Sequence, residues 1–120
     1  MTRRIIAIVD DMFFASKIRA TAEAVGIEIA FPRTRESALE KIAQIQPQLI
    51  VADLQNQRFD VVGFSSELKA NEETRSIPLL GFFSHVEVEL PRKAMNAGFD
   101  RVVPRSVFAR DLASMLGGND

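Results

Sequence analysis

Short apolar runs rich in β-branched residues alternate along this chain with longer stretches in which apolar residues recur every three or four positions. That alternation is typical of a parallel sheet whose strands are connected by helices packed on its two faces. Several runs, of which LIVAD at 49–53 is the clearest, are apolar throughout, as expected for strands buried on both faces. The pattern therefore predicts an α/β fold with five strands at Arg4–Val9, Ile27–Phe31, Leu49–Asp53, Ile77–Phe82 and Asp100–Val103.

The stretches between and after these strands predict five helices. The first covers about Met12–Val25, because its apolar residues fall on one face, and Gly26 is placed to end it in the left-handed conformation. Polar residues in capping positions predict where three of the other helices begin, at Thr34, Asp60 and Ser106. The fourth helix is expected to begin around Val88–Pro91 and to end at Gly98.

Composition excludes several functional classes. The 120 residues hold 15 Lys and Arg against 16 Asp and Glu, so no basic excess favours binding to nucleic acid or to a membrane surface. The absence of cysteine excludes disulfides, thiolate metal sites and thiol catalysis. No apolar run has the length of a membrane span or a signal peptide, which makes the cytoplasm the expected location. No linker or low-complexity tract interrupts the chain, and we expect a single domain over 1–120 without an output domain.

Three carboxylates lie at the predicted ends of two strands. Asp10 and Asp11 follow the first strand, and Asp53 ends the third. Ligands of open α/β sheets bind outside the carboxyl ends of the strands, where these side chains would converge. Clustered carboxylates disfavour one another's ionisation, and Mg²⁺, which prefers oxygen ligands, relieves that repulsion. The alternative is that these aspartates only end strands or cap helices.

Four segments of the chain, together with the spacing between them, resemble the receiver domains of two-component response regulators. The segments are IIAIVDD at 5–11, PQLIVADL at 47–54, ANEETRSIPLL at 70–80 and AMNAGFDRVV at 94–103. The spacings from Asp53 to Pro78 and to Phe83, and from Phe83 to Arg105, equal those of typical receivers without a gap. The resemblance covers the whole chain.

This resemblance implies a flavodoxin-like doubly wound sheet of order 2-1-3-4-5 with five flanking helices. It implies that Asp53 accepts a phosphoryl group from a histidine kinase or phosphotransfer protein, without the chain being an enzyme in any wider sense. Asp10, Asp11, Asp53 and the backbone carbonyl of Gln55 would hold Mg²⁺. The signal would pass to a downstream protein through the surface of helix 4, strand 5 and helix 5. The residues expected on that surface are Pro91, Arg92, Met95, Arg101, Pro104, Val107 and Arg110.

Several positions depart from the receiver pattern. Phe83 stands where receivers usually carry Thr or Ser, and Ser84, one position later, could contact the phosphoryl group only if a bulge moved it into place. Arg105 replaces the usual lysine, and Arg is not a neutral replacement at a close-packed site. Ser106 replaces the proline that usually follows, so we expect a trans Arg105–Ser106 bond. Val102 replaces the common aromatic switch residue.

Two functional hypotheses follow. The intact aspartates favour a phosphorylated receiver, whereas the departures favour a pseudo-receiver, an interaction module that keeps the fold without being phosphorylated. A cofactor-binding flavodoxin-like domain is a weaker third hypothesis, because no glycine-rich phosphate loop follows the first strand. His85 could donate to a phosphoryl group or be a solvated loop residue. Aromatic residues near the same edge could form either an apolar rim or part of the core; they are Phe13, Phe14, Phe59, Phe82 and Phe83.

Overall fold

A computed structural model describes residues 2–84 and 88–118. Its five parallel strands form one sheet of order β2-β1-β3-β4-β5, which confirms the predicted doubly wound topology. The strands are β1 Arg4–Ile8, β2 Glu28–Ala30, β3 Leu49–Asp53, β4 Leu79–Phe83 and β5 Arg101–Pro104. The helices are α1 Met12–Ala24, α2 Arg35–Ile45, α3 Val61–Ala70, α4 Leu90–Ala97, α5 Arg105–Arg110 and α6 Leu112–Leu116.

The central strand β3 is buried along its whole length. Its register aligns Ala52 with Ile8 of β1, and Asp53 with Phe82 of β4, so the carboxyl ends of the three strands lie at one edge. Apolar side chains form one core cluster between the sheet and α1, α5 and α6, and a second between the sheet and α2, α3 and α4. This two-sided core fixes the edge at which the chain leaves β1, β3, β4 and β5.

The predicted helix boundaries hold at most of the helices. Thr34 caps α2 through a capping box with Ser37, and Asp60 caps α3 by accepting a hydrogen bond from the backbone N–H of Gly63. Gly26, with φ of 75°, follows α1 in the left-handed region, as predicted. Helix α4 begins at Leu90 with proline in its first turn and ends before Gly98, also as predicted.

The last helix differs from the prediction. Ser106 does not cap it: α5 begins at Arg105, two residues earlier than a Ser106 cap would give, because Pro104 ends β5 with extended backbone angles and occupies the N-cap position. Asp111 then interrupts the helical run, with φ of −107° and ψ of 28°, and Arg110 bonds its carboxylate. The described residues therefore contain six helices instead of five.

Two further properties of the backbone bear on the predictions. Every peptide bond in the described residues is trans, which confirms the expectation for Arg105–Ser106. Within 2–84 and 88–118, no helix combines the length and apolarity needed to cross a membrane.

Candidate functional site

Asp53 lies at the carboxyl end of β3 with a side chain that is almost entirely buried. The residue is only 7% exposed, and its Oδ1 accepts a hydrogen bond of 2.9 Å from the backbone N–H of Gln55. Burial raises the pKa of the Asp53 carboxyl, because desolvation penalises the charged form. The Gln55 N–H and the charge of Arg105 oppose that rise. Asp53 is thus a carboxylate held in a defined orientation in a poorly solvated position.

Asp11 has two roles in the structure. Its Oδ1 caps α1 by accepting hydrogen bonds from the backbone N–H groups of Phe13 and Phe14, at 3.0 and 3.2 Å. Its Oδ2 accepts a hydrogen bond of 2.7 Å from Nη2 of Arg105. The bond from Arg105, followed by the bond from Phe14, lowers the pKa of the Asp11 carboxyl, which keeps it ionised.

Arg105, the first residue of α5, packs against aromatic rings as well as bonding Asp11. Its guanidinium carbon lies 4.2 Å from the ring centroid of Phe14 and 5.9 Å from that of Phe82. Arginine stacks on aromatic faces in this way because its charged group is planar and weakly hydrated. The side chain remains about one third exposed, so it is accessible to an incoming anion.

The side chain of Asp10 is hydrogen-bonded to the backbone of the loop that follows β3. The Oδ2 of Asp10 accepts a hydrogen bond of 3.0 Å from the backbone N–H of Gln57. The side-chain amide of Gln57 also donates to the backbone carbonyl of Gln55, at 3.3 Å. Gln57 therefore contacts two of the groups for which the sequence predicts a metal-binding role.

Ser84 does not contact Asp53. Its backbone N–H and its hydroxyl both donate to the side-chain oxygen of Gln55, at 2.8 and 2.9 Å. These two bonds tie the start of the loop after β4 to the loop after β3, and they occupy the hydroxyl for which the sequence suggested a phosphoryl contact. Phe83, the last residue of β4, is partly buried against the core cluster on the α2, α3 and α4 side of the sheet.

The three predicted acidic residues are near one another without forming a finished metal site. After the larger effect of burial, the charges of Asp10 and Asp11 also contribute to the raised pKa of the Asp53 carboxyl. Within the described residues, however, no three potential ligand side chains are arranged to hold a metal ion. The donor set of carboxylate and carbonyl oxygens fits the chemistry of Mg²⁺. A metal ion at Oδ2 of Asp11 would compete with the charge of Arg105, which already bonds that oxygen.

The aromatic residues near this edge divide between core and surface. Phe14 and Phe82 are buried in the core, and Phe59 and Phe83 are partly buried. Phe13 is 91% exposed and Met12, beside it at the start of α1, is 69% exposed. An apolar rim formed by all five phenylalanines is therefore wrong, and only Phe13 projects fully into solvent. His85 lies outside the described residues.

The surface predicted to bind a downstream protein, on α4, β5 and α5, contains both apolar and basic residues. Met95 of α4 is 49% exposed, and Arg92 pairs with Glu89. Arg110 of α5 pairs with Asp111. The remaining members of the predicted surface are all partly buried: Pro91, Arg101, Pro104 and Val107.

Sequence reasoning missed two residues of the site, Phe14 and Gln57. Phe14 lies on the predicted apolar face of the first helix, but its ring also stacks against the guanidinium of Arg105. Gln57 lies in the loop after β3, and no sequence signal shows that its backbone N–H reaches Asp10. Both contacts join segments far apart in the chain.

Comparison with solved structures identifies the class of fold. The chemotaxis response regulator CheY4 of Vibrio cholerae matches with a TM-score of 0.84 at 14% identity over 100% of both chains. A CheY-like receiver domain protein from Methanospirillum hungatei matches with a TM-score of 0.82 at 19% identity, over 98% of this chain and 93% of the other. The phosphorylated cyanobacterial phytochrome response regulator RcpA matches with a TM-score of 0.81 at 16% identity, over 98% and 91%.

The chain therefore has the fold of response regulator receiver domains over essentially its whole length, as the sequence resemblance implied. No family model matches the sequence, and no curated protein matches it. At these identities the likeness establishes the fold, and the function is argued from the site itself.

Proposed function

We propose that this chain is a response regulator receiver that accepts a phosphoryl group on Asp53 and signals through protein contacts. The observation that carries the proposal is the buried Asp53 carboxylate at the end of β3, beside two further carboxylates and the guanidinium of Arg105. The fold shared with the phosphorylated regulator RcpA supports it.

The proposed reaction needs a nucleophile that is oriented and partly desolvated. An oxygen of Asp53 attacks the phosphorus of a phosphohistidine on the donor protein, a new O–P bond forms, and the N–P bond breaks. The donor imidazole leaves with the electron pair of that bond. Because Gln55 N–H holds Oδ1, the other oxygen, Oδ2, is the natural nucleophile.

Arg105 would neutralise the phosphoryl group once it is attached. Its side chain is accessible, and guanidinium binds phosphate oxygens bidentately. Binding them would draw the guanidinium away from Oδ2 of Asp11, which would couple phosphorylation to the release of Asp11. Mg²⁺, bound by Asp10, Asp11, Asp53 and the Gln55 carbonyl, would neutralise charge on the incoming phosphoryl group.

The second candidate is the pseudo-receiver, and two observations favour it. Arg105 already neutralises Asp11, and Phe83 supplies no hydroxyl at the end of β4. A chain with an internal cation at its acidic edge can keep the receiver fold and bind partners without any phosphoryl group.

Partners and location follow from the same proposal. The donor would be a histidine kinase or phosphotransfer protein, and the recipient would bind the surface of α4, β5 and α5. The mixed apolar and basic character of that surface suits a modest, partly polar interface. We expect these encounters to take place in the cytoplasm, where the donors of phosphoryl groups to such domains are found.

Intact mass spectrometry after incubation with acetyl phosphate distinguishes the two candidates. The receiver hypothesis predicts a mass increase of one phosphoryl group in the presence of Mg²⁺, and no increase in Asp53→Ala. Asp60→Asn, which removes the charge of the exposed carboxylate that caps α3, is the control and should still be modified. An unmodified wild type, or an adduct that persists in Asp53→Ala, would contradict phosphorylation at Asp53 and favour the pseudo-receiver.

A further inference from the structure

One turn of α1 offers two different groups to the guanidinium of Arg105. Asp11, at the N-cap, provides Oδ2 at 2.7 Å, and Phe14, three residues later, provides its ring face at 4.2 Å. The two α1 residues are themselves linked, because the backbone N–H of Phe14 donates to Oδ1 of Asp11. The ring and the carboxylate therefore hold Arg105 together in a single pose.

The Phe14 ring is itself held in place by the core. It is buried, and it makes edge contacts with Phe82 and Phe108, at centroid distances of 5.2 and 5.9 Å. Those two rings stack on each other in parallel at 4.8 Å. A ring packed in this way cannot follow Arg105 if the guanidinium moves, so leaving the Asp11 pose costs Arg105 its aromatic contact.

We propose that Phe14 is a positioning residue that holds Arg105 on Asp11 and thereby limits how tightly the acidic edge binds a divalent cation. The inference rests on the proposed function, because the cation that would compete with Arg105 for Asp11 is the Mg²⁺ that a receiver would bind. The physical basis is an equilibrium between Arg105 bound to Asp11 and Arg105 away from it. Any interaction that Arg105 makes only when it is bound to Asp11 shifts this equilibrium toward the bound state. A contact between a partly exposed guanidinium and a ring changes such an equilibrium by about two- to fivefold.

The first test needs no metal. Phe14→Leu removes the ring face while keeping an apolar side chain, and Phe108→Leu is the matched control. Phe108 belongs to the same buried ring cluster, whereas the rings that Arg105 stacks over are those of Phe14 and Phe82. The measurement is the rate of rotation about the Cζ–Nε bond of Arg105, from side-chain nitrogen NMR. We expect about two- to fivefold faster rotation in Phe14→Leu than in Phe108→Leu.

Equal rotation rates in the two variants would overturn the positioning role of Phe14. If Phe14→Leu does not fold, Phe14→Met replaces it, because methionine fills irregular core space with a flexible side chain. The rotation rate of Arg105 in Phe14→Met is then compared with the rate in Phe108→Met.

The second test adds Mg²⁺ alone and follows the backbone amides around Asp53 by NMR. Phe14→Leu should lower the half-saturating Mg²⁺ concentration about two- to fivefold relative to Phe108→Leu. In an Arg105→Ala background the same substitution should have no effect, because the interaction it weakens is already absent. An effect of equal size in both backgrounds would refute the mechanism.

The two tests separate the inference from the proposed function. A wild type that does not bind Mg²⁺ contradicts the metal site of the proposed function, and the rotation rates still decide the role of Phe14. Mg²⁺ binding that Arg105→Ala strengthens and Phe14→Leu leaves unchanged refutes the inference while the proposed function stands.

Discussion

Replacing the buried Asp53 carboxylate with a neutral amide should stabilise the fold at neutral pH. Asp53→Asn keeps an oxygen that can accept the hydrogen bond from the Gln55 N–H, and it removes the charge that burial disfavours. Full burial of an ion costs several kcal/mol, and here one backbone bond and the charge of Arg105 offset much of that cost. We expect Asp53→Asn to raise the free energy of unfolding by about 1 kcal/mol, or the melting temperature by about 4 °C.

The gain should depend on pH in one direction only. Burial raises the pKa of Asp53 in the folded state above its value in the unfolded chain, so wild type gains stability relative to Asp53→Asn as its carboxyl becomes protonated. The difference between the two proteins is therefore largest above the folded-state pKa. It shrinks as the pH falls through that pKa toward the ordinary aspartate value of about 3.9.

Urea unfolding at pH 7 and at pH 4 measures this difference. Asp60→Asn is the control, because Asp60 is exposed and asparagine caps a helix about as well as aspartate, so its effect should stay within about 0.5 kcal/mol. A destabilised Asp53→Asn at pH 7, or a gain that is equally large at both pH values, would show that Asp53 is not a desolvated carboxylate.

Three further predictions concern the loops around Asp53. Phe83→Thr should increase the yield or lifetime of the phosphoryl adduct measured by mass spectrometry, and an unchanged adduct would show that Phe83 is not the limiting departure; melting temperature must be followed alongside, because the change also alters packing. In urea unfolding, Gln55→Ala should lower the free energy of unfolding by about 1 kcal/mol, because it removes the acceptor of two hydrogen bonds from Ser84. Ser84→Ala should lower it by about half as much, because it removes only the hydroxyl donor. Equal losses in the two variants would contradict this pairing. Beryllofluoride, a phosphoryl mimic, should shift amide signals strongly around Asp53 and Arg105 and weakly on the outer face of α4, and a broad shift across α4 would reveal another route of coupling.

The fold was predictable because its signals are local and repeated. The unbroken apolar run at 49–53 predicts a strand buried on both faces, and the cap residues Thr34 and Asp60 predict the starts of α2 and α3 from their immediate neighbours alone. The break at Asp111 was not predictable from apolar spacing, which runs through it without a change of phase. It depends on the backbone angles of one residue whose carboxylate is bonded by Arg110.

The placement of the candidate site's residues was predictable, and their hydrogen bonding was not. Strand ends carry Asp10, Asp11 and Asp53 to one edge, and that follows from the order of the strands. Which oxygen each donor reaches depends on loop paths and on contacts between distant segments. Arg105 reaches Asp11 across the sheet edge instead of bonding Asp53, and Ser84 bonds the side chain of Gln55. Neither hydrogen bond can be inferred from the spacing or the periodicity of the sequence.

The most direct test of this account is a crystal structure of the protein with Mg²⁺ and beryllofluoride. The account predicts the mimic on Asp53, the guanidinium of Arg105 within hydrogen-bond distance of its fluorine atoms, and Oδ2 of Asp11 no longer bonded to Arg105. A structure in which Arg105 still bonds Asp11 while beryllofluoride occupies Asp53, or in which Asp53 carries no beryllofluoride at saturating concentration, would contradict it.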